Sequence, residues 1–304
     1  MGSNKNSGGH TLATVDAAAT RQSSVMRSCD PIMSKSSKIE FDSVDRTSDP
    51  HDFVRYLDAT RATDFIQEIK QRTFAQMELR GGEIVADIGC GTGEDVRALA
   101  VQVGATGWTV GVDVSSTMIR TARQRSRECG SSARFVQGDV QQLGFRDESF
   151  DAIRAERLLQ HIPDPQSALR EMVRALKARG RLVSWEADLD LFIIDAGDYH
   201  TSRIMQRFIC DRFHNGSIGH RLYKFFIGAG LVDVQATPLV RNFTDLSLIE
   251  SAFDLTASVG HAIEQHLLDA DQATRWLDSL RSASQSSHFL SVIGGFITFG
   301  RKAV

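Results

Sequence analysis

Gly89-Cys90-Gly91-Thr92-Gly93 follows a short apolar run, Glu83-Ile84-Val85-Ala86-Asp87-Ile88, and precedes Val96, Leu99, Ala100 and Val103. The run reads as a buried strand and the i, i+3, i+4, i+7 spacing as an amphipathic helix, so the glycines fill a strand-to-helix turn. Glycine removes Cβ atoms where backbone must approach a ligand and permits positive φ, while the helix start offers unpaired N–H groups. That chemistry suits a polar, nucleoside-type ligand. A dinucleotide turn reads G-x-G-x-x-G. Here Glu94 stands at the third glycine of that pattern, and Glu94 with Asp95 would repel a pyrophosphate, which argues against NAD. A turn that binds nothing is the structural alternative.

Two acids lie at the ends of the next strands. Asp113 in Gly111-Val-Asp113 can accept hydrogen bonds from both hydroxyls of a ribose, and Asp139 in Gln137-Gly-Asp139-Val140 can accept from the exocyclic amine of adenine. Either alone is as easily a loop or cap residue; together, beside the glycine turn, they converge on one crevice.

The elements that must position these residues follow from the pattern. Strands at Glu83–Ile88, Trp108–Val112, Arg134–Gln137, Phe150–Arg154 and Leu182–Trp185 alternate with helices from Ser116 to Cys129 and around Leu169, Met172, Val173 and Leu176. Repeated βα units imply a doubly wound α/β fold, its parallel sheet covered on both faces. Phe53, Tyr56, Leu57, Phe65, Ile66 and Ile69 predict a helical cover over 47–80 before the core at 83–186. The rhythm stops at 187–230, read as a helical insert after the fifth strand. Residues 231–304 supply a strand Leu231–Val240, helices Leu246–Leu268 and Ala273–Ser282, and a strand Phe289–Arg301 broken at Gly294-Gly295.

The 304 residues suit one elaborated domain, and 35 Lys+Arg against 38 Asp+Glu, net charge −3, give no general pull toward nucleic acid. No apolar run approaches the roughly 20 residues of a membrane span. Cys29, Cys90, Cys129 and Cys210 show neither a C-x-x-C pair nor metal-ligand spacing, so a reducing cytoplasm and no metal are expected. Residues 1–46 are rich in Ser, Asn, Gly and Thr and read as a disordered tail.

Val85-Ala-Asp-Ile-Gly-Cys-Gly-Thr-Gly93, Gly111-Val-Asp113, Gly138-Asp-Val140 and Phe150-Asp-Ala-Ile153, followed by Leu159-Gln-His-Ile-Pro-Asp164, resemble the class I S-adenosylmethionine-dependent methyltransferases. The small-molecule group of ubiquinone and menaquinone C-methylases is the nearest in character, over Glu83 to Trp185. The resemblance implies a seven-stranded, mostly parallel sheet and S-adenosylmethionine as cofactor, with S-adenosylhomocysteine as product. It places Asp87, Gly89, Cys90, Gly91, Thr92 and Gly93 around the methionine, Asp113 at the ribose, Asp139 and Val140 at adenine, and Ala155 near the amino group, with Val114 and Met118 also in contact with the cofactor. The tail and the insert depart from the quinone methylases, so their acceptor is not carried over.

Methyl transfer from a sulfonium relies on alignment and water exclusion, with a base needed only for a protonated acceptor. Acceptors in this architecture sit beyond the carboxyl ends of the strands, which selects Glu156, Arg157, His161 and Glu186 as catalytic candidates, with Asp188 beside them. His161 as a packing residue, Glu156 and Arg157 as a surface pair, and Glu186 as a solvated strand end are the structural alternatives. The insert supplies Tyr199, His200, Arg203, Arg207, Arg212 and His214. Arg203 and Arg207 share a helix face that could capture a carboxylate or simply be solvated. Tyr56 is a candidate to close the cleft. The expected activity is methylation at N, S or O of a small polar molecule of amino-acid-like character. An apolar or quinone-like acceptor lined by aromatic residues is the first alternative, for which Phe225, Phe226, Phe253, Trp276, Phe289 and Phe296 are otherwise core. A noncatalytic S-adenosylmethionine-binding regulator is the second.

Overall fold

The computed structural model describes residue 41 and residues 43–304. The parallel core consists of β1 (Ile84–Ile88), β2 (Trp108–Asp113), β3 (Arg134–Gln137), β4 (Phe150–Glu156) and β5 (Leu176–Ala187). These strands lie in the order β3-β2-β1-β4-β5. The antiparallel end is built by β6 (Ile193–Ile194), β7 (Leu231–Phe243) and β8 (Ser291–Lys302), with β8 inserted between β5 and β7. Because β7 pairs with β8 along its length, β6 occupies the edge of β8 that β5 uses and continues the line of β5. The sheet is therefore seven strands wide although eight segments form it.

Helices α1 (His51–Arg61), α2 (Asp64–Met77), α3 (Glu94–Val103), α4 (Ser116–Glu128) and α5 (Pro165–Ala175) surround the core. Phe65, Ile69 and Met77 of α2 and Leu99 of α3 pack on Val85, Val183 and Ile297 on one face of the sheet. Leu169 and Met172 of α5 cover the other, together with Leu222 and Phe226 of α7 (Ile218–Gly228). Local chemistry fixes the starts: Asp164 accepts from Ser167 N at 3.0 Å with Pro165 at the first turn of α5, and Ser115 accepts from Met118 N at 3.2 Å at α4.

Three expectations change. The insert is not one unit, because α6 (Tyr199–Asp211) joins α8 (Leu246–Phe253), α9 (Leu255–Glu264) and α10 (Ala270–Gln285) in a separate helical core around Trp276, whereas α7 returns to the sheet. The single helix expected over Leu246–Leu268 is two, divided at Asp254, whose φ of 43° ends α8 while its carboxylate caps Ala257 N. Strand β8 runs unbroken through Gly294-Gly295, which are small because neighbours crowd them. A Cβ on Gly294 would sit 2.3 Å from Val240 Cγ1, and one on Gly295 would sit 2.3 Å from the Glu186 carbonyl oxygen.

Part of the stretch read as a tail is also packed: Val44 is buried, and Val44–Arg46 forms a 3-10 turn against the first turn of α4. The remainder of that reading, with Cys29, lies outside the described residues. Cys90, Cys129 and Cys210 are free thiols. No helix among the described residues is long and apolar enough to cross a membrane.

Candidate active site

The carboxyl ends of β1, β2, β4 and β5 open into a cavity of about 630 Å³. Gly89, Gly91 and Gly93 have φ values of 75°, 50° and 74°, and a Cβ on Gly93 would lie 2.3 Å from the Phe135 ring, so the turn can be followed only by glycine. The Asp113 carboxylate accepts from Gly91 N at 2.8 Å through one oxygen and from Ser115 N at 2.9 Å through the other. Burial pushes this carboxyl up from its ordinary range against those two bonds. Each oxygen has taken one of these backbone donors and retains a lone pair for a hydroxyl.

Asp87, Gly89, Cys90, Gly91, Thr92, Asp113, Val114, Met118, Asp139 and Val140 all line this cavity. Gly93 and Ala155 do not; Ala155 is wholly buried in β4 and Gly93 forms the cap of α3 behind the wall. At the start of α4, beside Asp113, Asp45 accepts from Ser115 Oγ at 2.8 Å, Ser116 N at 2.7 Å and Thr117 N at 3.1 Å. Burial opposes ionisation of Asp45, but these donors outweigh it and hold the carboxyl well below the usual range. The bonds strap Phe41 and Val44 over the cavity. Sequence reasoning missed Asp45, because nothing in a polar segment marks one acid as the cap of a helix about 70 residues away.

Arg154 organises a buried ion network at the ends of β1 and β4. It is 1% exposed, and its Nη1 lies 3.0 Å from both Asp87 Oδ1 and Asp95 Oδ2, its Nε donates to Thr73 Oγ1 at 3.1 Å, and its Nη2 pairs with Glu156. Lys70 pairs with Asp95, and Arg157 Nε lies 3.4 Å from Glu156 Oε1. Three cations thus meet three carboxylates with no formal excess. Burial raises Asp87 despite the attraction of Arg154, whereas for Asp95 the pull of Arg154 and Lys70 overcomes burial and lowers it. Glu94, expected to repel phosphate together with Asp95, is paired with Arg61 and Arg97, so neither acid acts as a bare charge.

The acceptor candidates divide. Tyr56, Glu156, Arg157 and His161 line the cavity, with His161 Nε2 3.0 Å from Gln160 Nε2 and its ring 4.9 Å from that of Phe41 and 5.7 Å from that of Phe213. Glu186 is fully buried beneath it. Its Oε1 accepts from Leu158 N at 2.9 Å and Leu159 N at 2.8 Å, and its Oε2 from Gln160 N at 3.2 Å, so it clamps the loop that carries His161. Asp188 is likewise buried and accepts from His220 N at 2.6 Å and Asp190 N at 3.2 Å.

The face of α6 points away from the cavity. Arg203, Arg207, His200 and His214 are exposed and none lines it, and Arg207 pairs with Asp211 at 2.8 Å. The reason is the opposite stripe of α6, Met205, Phe208 and Ile209, which is buried in the helical core and turns the arginines to solvent. Arg212 is buried and donates to Ser258 Oγ at 2.6 Å. The far wall instead comes from Phe65, Trp185, Phe213, Phe243, Ile249 and Phe253. Of the six aromatic residues read as core, only Phe253 faces the cavity; Phe226, Trp276 and Phe289 are core.

A family model described as a methyltransferase domain matches residues 86–184, and a demethylmenaquinone methyltransferase of Staphylococcus aureus is 35% identical over 117 residues, 38% of this chain and 48% of that protein. Over residues 86–184 this chain carries a methyltransferase domain of the class I S-adenosylmethionine-dependent type. An uncharacterised 37.1 kDa protein in transposon TN4556 of Streptomyces fradiae is 34% identical over 230 residues, 75% of this chain and 66% of that one. The YcgJ protein of Bacillus subtilis shares the fold, with a TM-score of 0.55 and 19% identity, covering 78% of this chain and 99% of its own. The chain thus spans about two thirds of one of these curated relatives and about half of the other.

The cofactor of this methyltransferase family is S-adenosylmethionine, and the residues present fit it. Asp113 keeps acceptor capacity on both oxygens, Gly91 leaves a gap that a Cβ would close to 3.0 Å from Leu57, and Val140 and Met118 offer apolar surface for adenine. Asp113→Ala is expected to weaken S-adenosylmethionine binding by roughly 100-fold or more, since the ribose loses two hydrogen bonds to a charged group at about 1.5–3 kcal/mol each. Calorimetric titration of cofactor into the variant checks this, and unchanged affinity would remove Asp113 from the ribose.

Proposed function

We propose that this methyltransferase moves the methyl group of S-adenosylmethionine onto a small, largely apolar, ring-bearing acceptor. The observation that carries the reading is the far wall of the cavity, where Phe65, Phe213, Phe243, Phe253 and Ile249 stand in place of the expected Arg203 and Arg207. Aromatic walls favour an apolar ring by burial and by offset or edge contacts. An amino-acid-like acceptor would leave its charges against apolar surface, so it gives way to the aromatic alternative.

When bound, the cofactor supplies an activated methyl group on its sulfonium. The protein's share is alignment: the glycine turn and Asp113 fix the donor, the aromatic wall orients the acceptor, and Phe41 and Val44 shut out water. For an acceptor that carries a proton, His161 is the imidazole at the cavity wall positioned to take it.

Transfer of labelled methyl from S-adenosylmethionine to separate pools of amino acids, amines and phenols tests the reading. A product among the phenols is expected, and a product confined to the amino acids would overturn it. With the product in hand, Phe243→Ala is expected to raise the acceptor KM by about tenfold while cofactor affinity stays within about twofold.

A further inference from the structure

Resting on that acceptor reading, we infer that Arg157 selects an acceptor whose apolar ring bears an ionised oxygen, a carboxylate or a phenolate. Arg157 follows β4 with a backbone φ of 52°, a conformation that residues other than glycine rarely adopt and that concentrates at functional sites. Its backbone N–H donates to the Trp185 carbonyl at 2.9 Å, which anchors the residue beside the aromatic wall. The wall is continuous from there: the Trp185 ring is 6.1 Å from that of Phe65, which is 6.2 Å from that of Phe243.

This guanidinium is about four-fifths buried and lines the cavity, yet it donates no hydrogen bond among the described residues; its charge partner is Glu156, 3.4 Å from Nε. Trp185 Nε1, buried under the same wall, also has no acceptor among the described residues. Glu156, the carboxylate here, is already engaged by Arg154 and Arg157. Arg157 therefore presents a charged donor without an acceptor at this wall, which suits a ligand oxygen and repels an ammonium. The resident charges balance, and the sulfonium of the cofactor adds positive charge beside them, so an oxygen anion completes the site better than a neutral one. Arg241, from the end of β7, holds Glu68 at 2.8 Å and lies 6.0 Å from the Phe65 ring, so it adds a further cation along the same wall.

The full chain saturated with S-adenosylhomocysteine would be titrated calorimetrically with 2-naphthoate and with 2-methylnaphthalene, which share a ring system and differ in the charged oxygens. Naphthoate is expected to bind roughly tenfold tighter or better. In Arg157→Gln the two should fall within about threefold of each other, with methylnaphthalene affinity unchanged, and Arg157→Lys should lie between. Retained S-adenosylhomocysteine binding certifies the fold; if Arg157→Gln loses it, Arg157→Lys decides. Equal binding of the two probes to the unaltered protein, or a preference that survives substitution of Arg157, overturns the inference and leaves the apolar acceptor standing. Failure of both probes to bind overturns the apolar acceptor and this inference with it.

Discussion

Arg154→Met is expected to cost about 3–5 kcal/mol of stability, the usual consequence of removing one partner from a buried ion network. Methionine fills much of the space but leaves Asp87, Asp95 and Glu156 facing one another with Lys70 and Arg157 as the remaining cations. The loss should be pH-dependent. In the variant these carboxyls take up protons more readily folded than unfolded, so stability is regained as the pH falls and lost as it rises. Urea unfolding at pH 5 and pH 8 measures both effects. A loss below about 1 kcal/mol, or one of equal size at the two pH values, would show that the network does not need its central cation.

Glu186→Ala should be almost as damaging, by about 3 kcal/mol or more, because three backbone N–H groups, two of them buried, lose their acceptor together. Burial pushes the Glu186 carboxyl up from 4.5 to about 7 even against those three bonds. The folded state therefore holds this proton more tightly than the unfolded one. Its contribution to stability is full below pH 4.5 and is lost as the pH rises through about 7. Glu186→Gln removes that slope, keeps one oxygen for Leu158 and Leu159, and points a donor at Gln160 N. Thermal unfolding across pH 5 to 8 should be flatter for Glu186→Gln than for the parent, and parallel curves would reassign the titration to another group.

Both predictions concern residues whose role the sequence hid in different ways. Strand, turn and helix around Gly89–Gly93 were legible because glycine spacing and apolar periodicity are local properties, and Asp113 and Asp139 followed because βα units bring strand ends to one edge. Arg154 was overlooked although it carried a signal: a lone arginine inside a central parallel strand must have a partner, and Asp87 is its register neighbour on β1. Glu186 was read as a strand-end residue facing the acceptor, since spacing places it at the right level but not below or above the loop.

The aromatic wall of the cavity was the least legible part. Phe243 and Phe253 have the same residue type as core Phe226, and only the packed structure shows which ring borders a void. Arg203 and Arg207 share a face by their spacing, but which face of α6 is buried was decided by Met205, Phe208 and Ile209 and by helices distant in sequence.

The insertion of β8 between β5 and β7 also orders events during synthesis. The strands that hold the cofactor end, β1 to β5, can pair as they emerge, each needing only elements already made. The edge of β5 and the whole of β7 then wait for residues 291–302, and Phe243 and Ile293 take their places in the cavity only after that strand slides in. A nascent chain halted before this point would have the glycine-turn side of its cavity assembled and the aromatic side open, with the edge of β5 exposed and β7 without a strand partner.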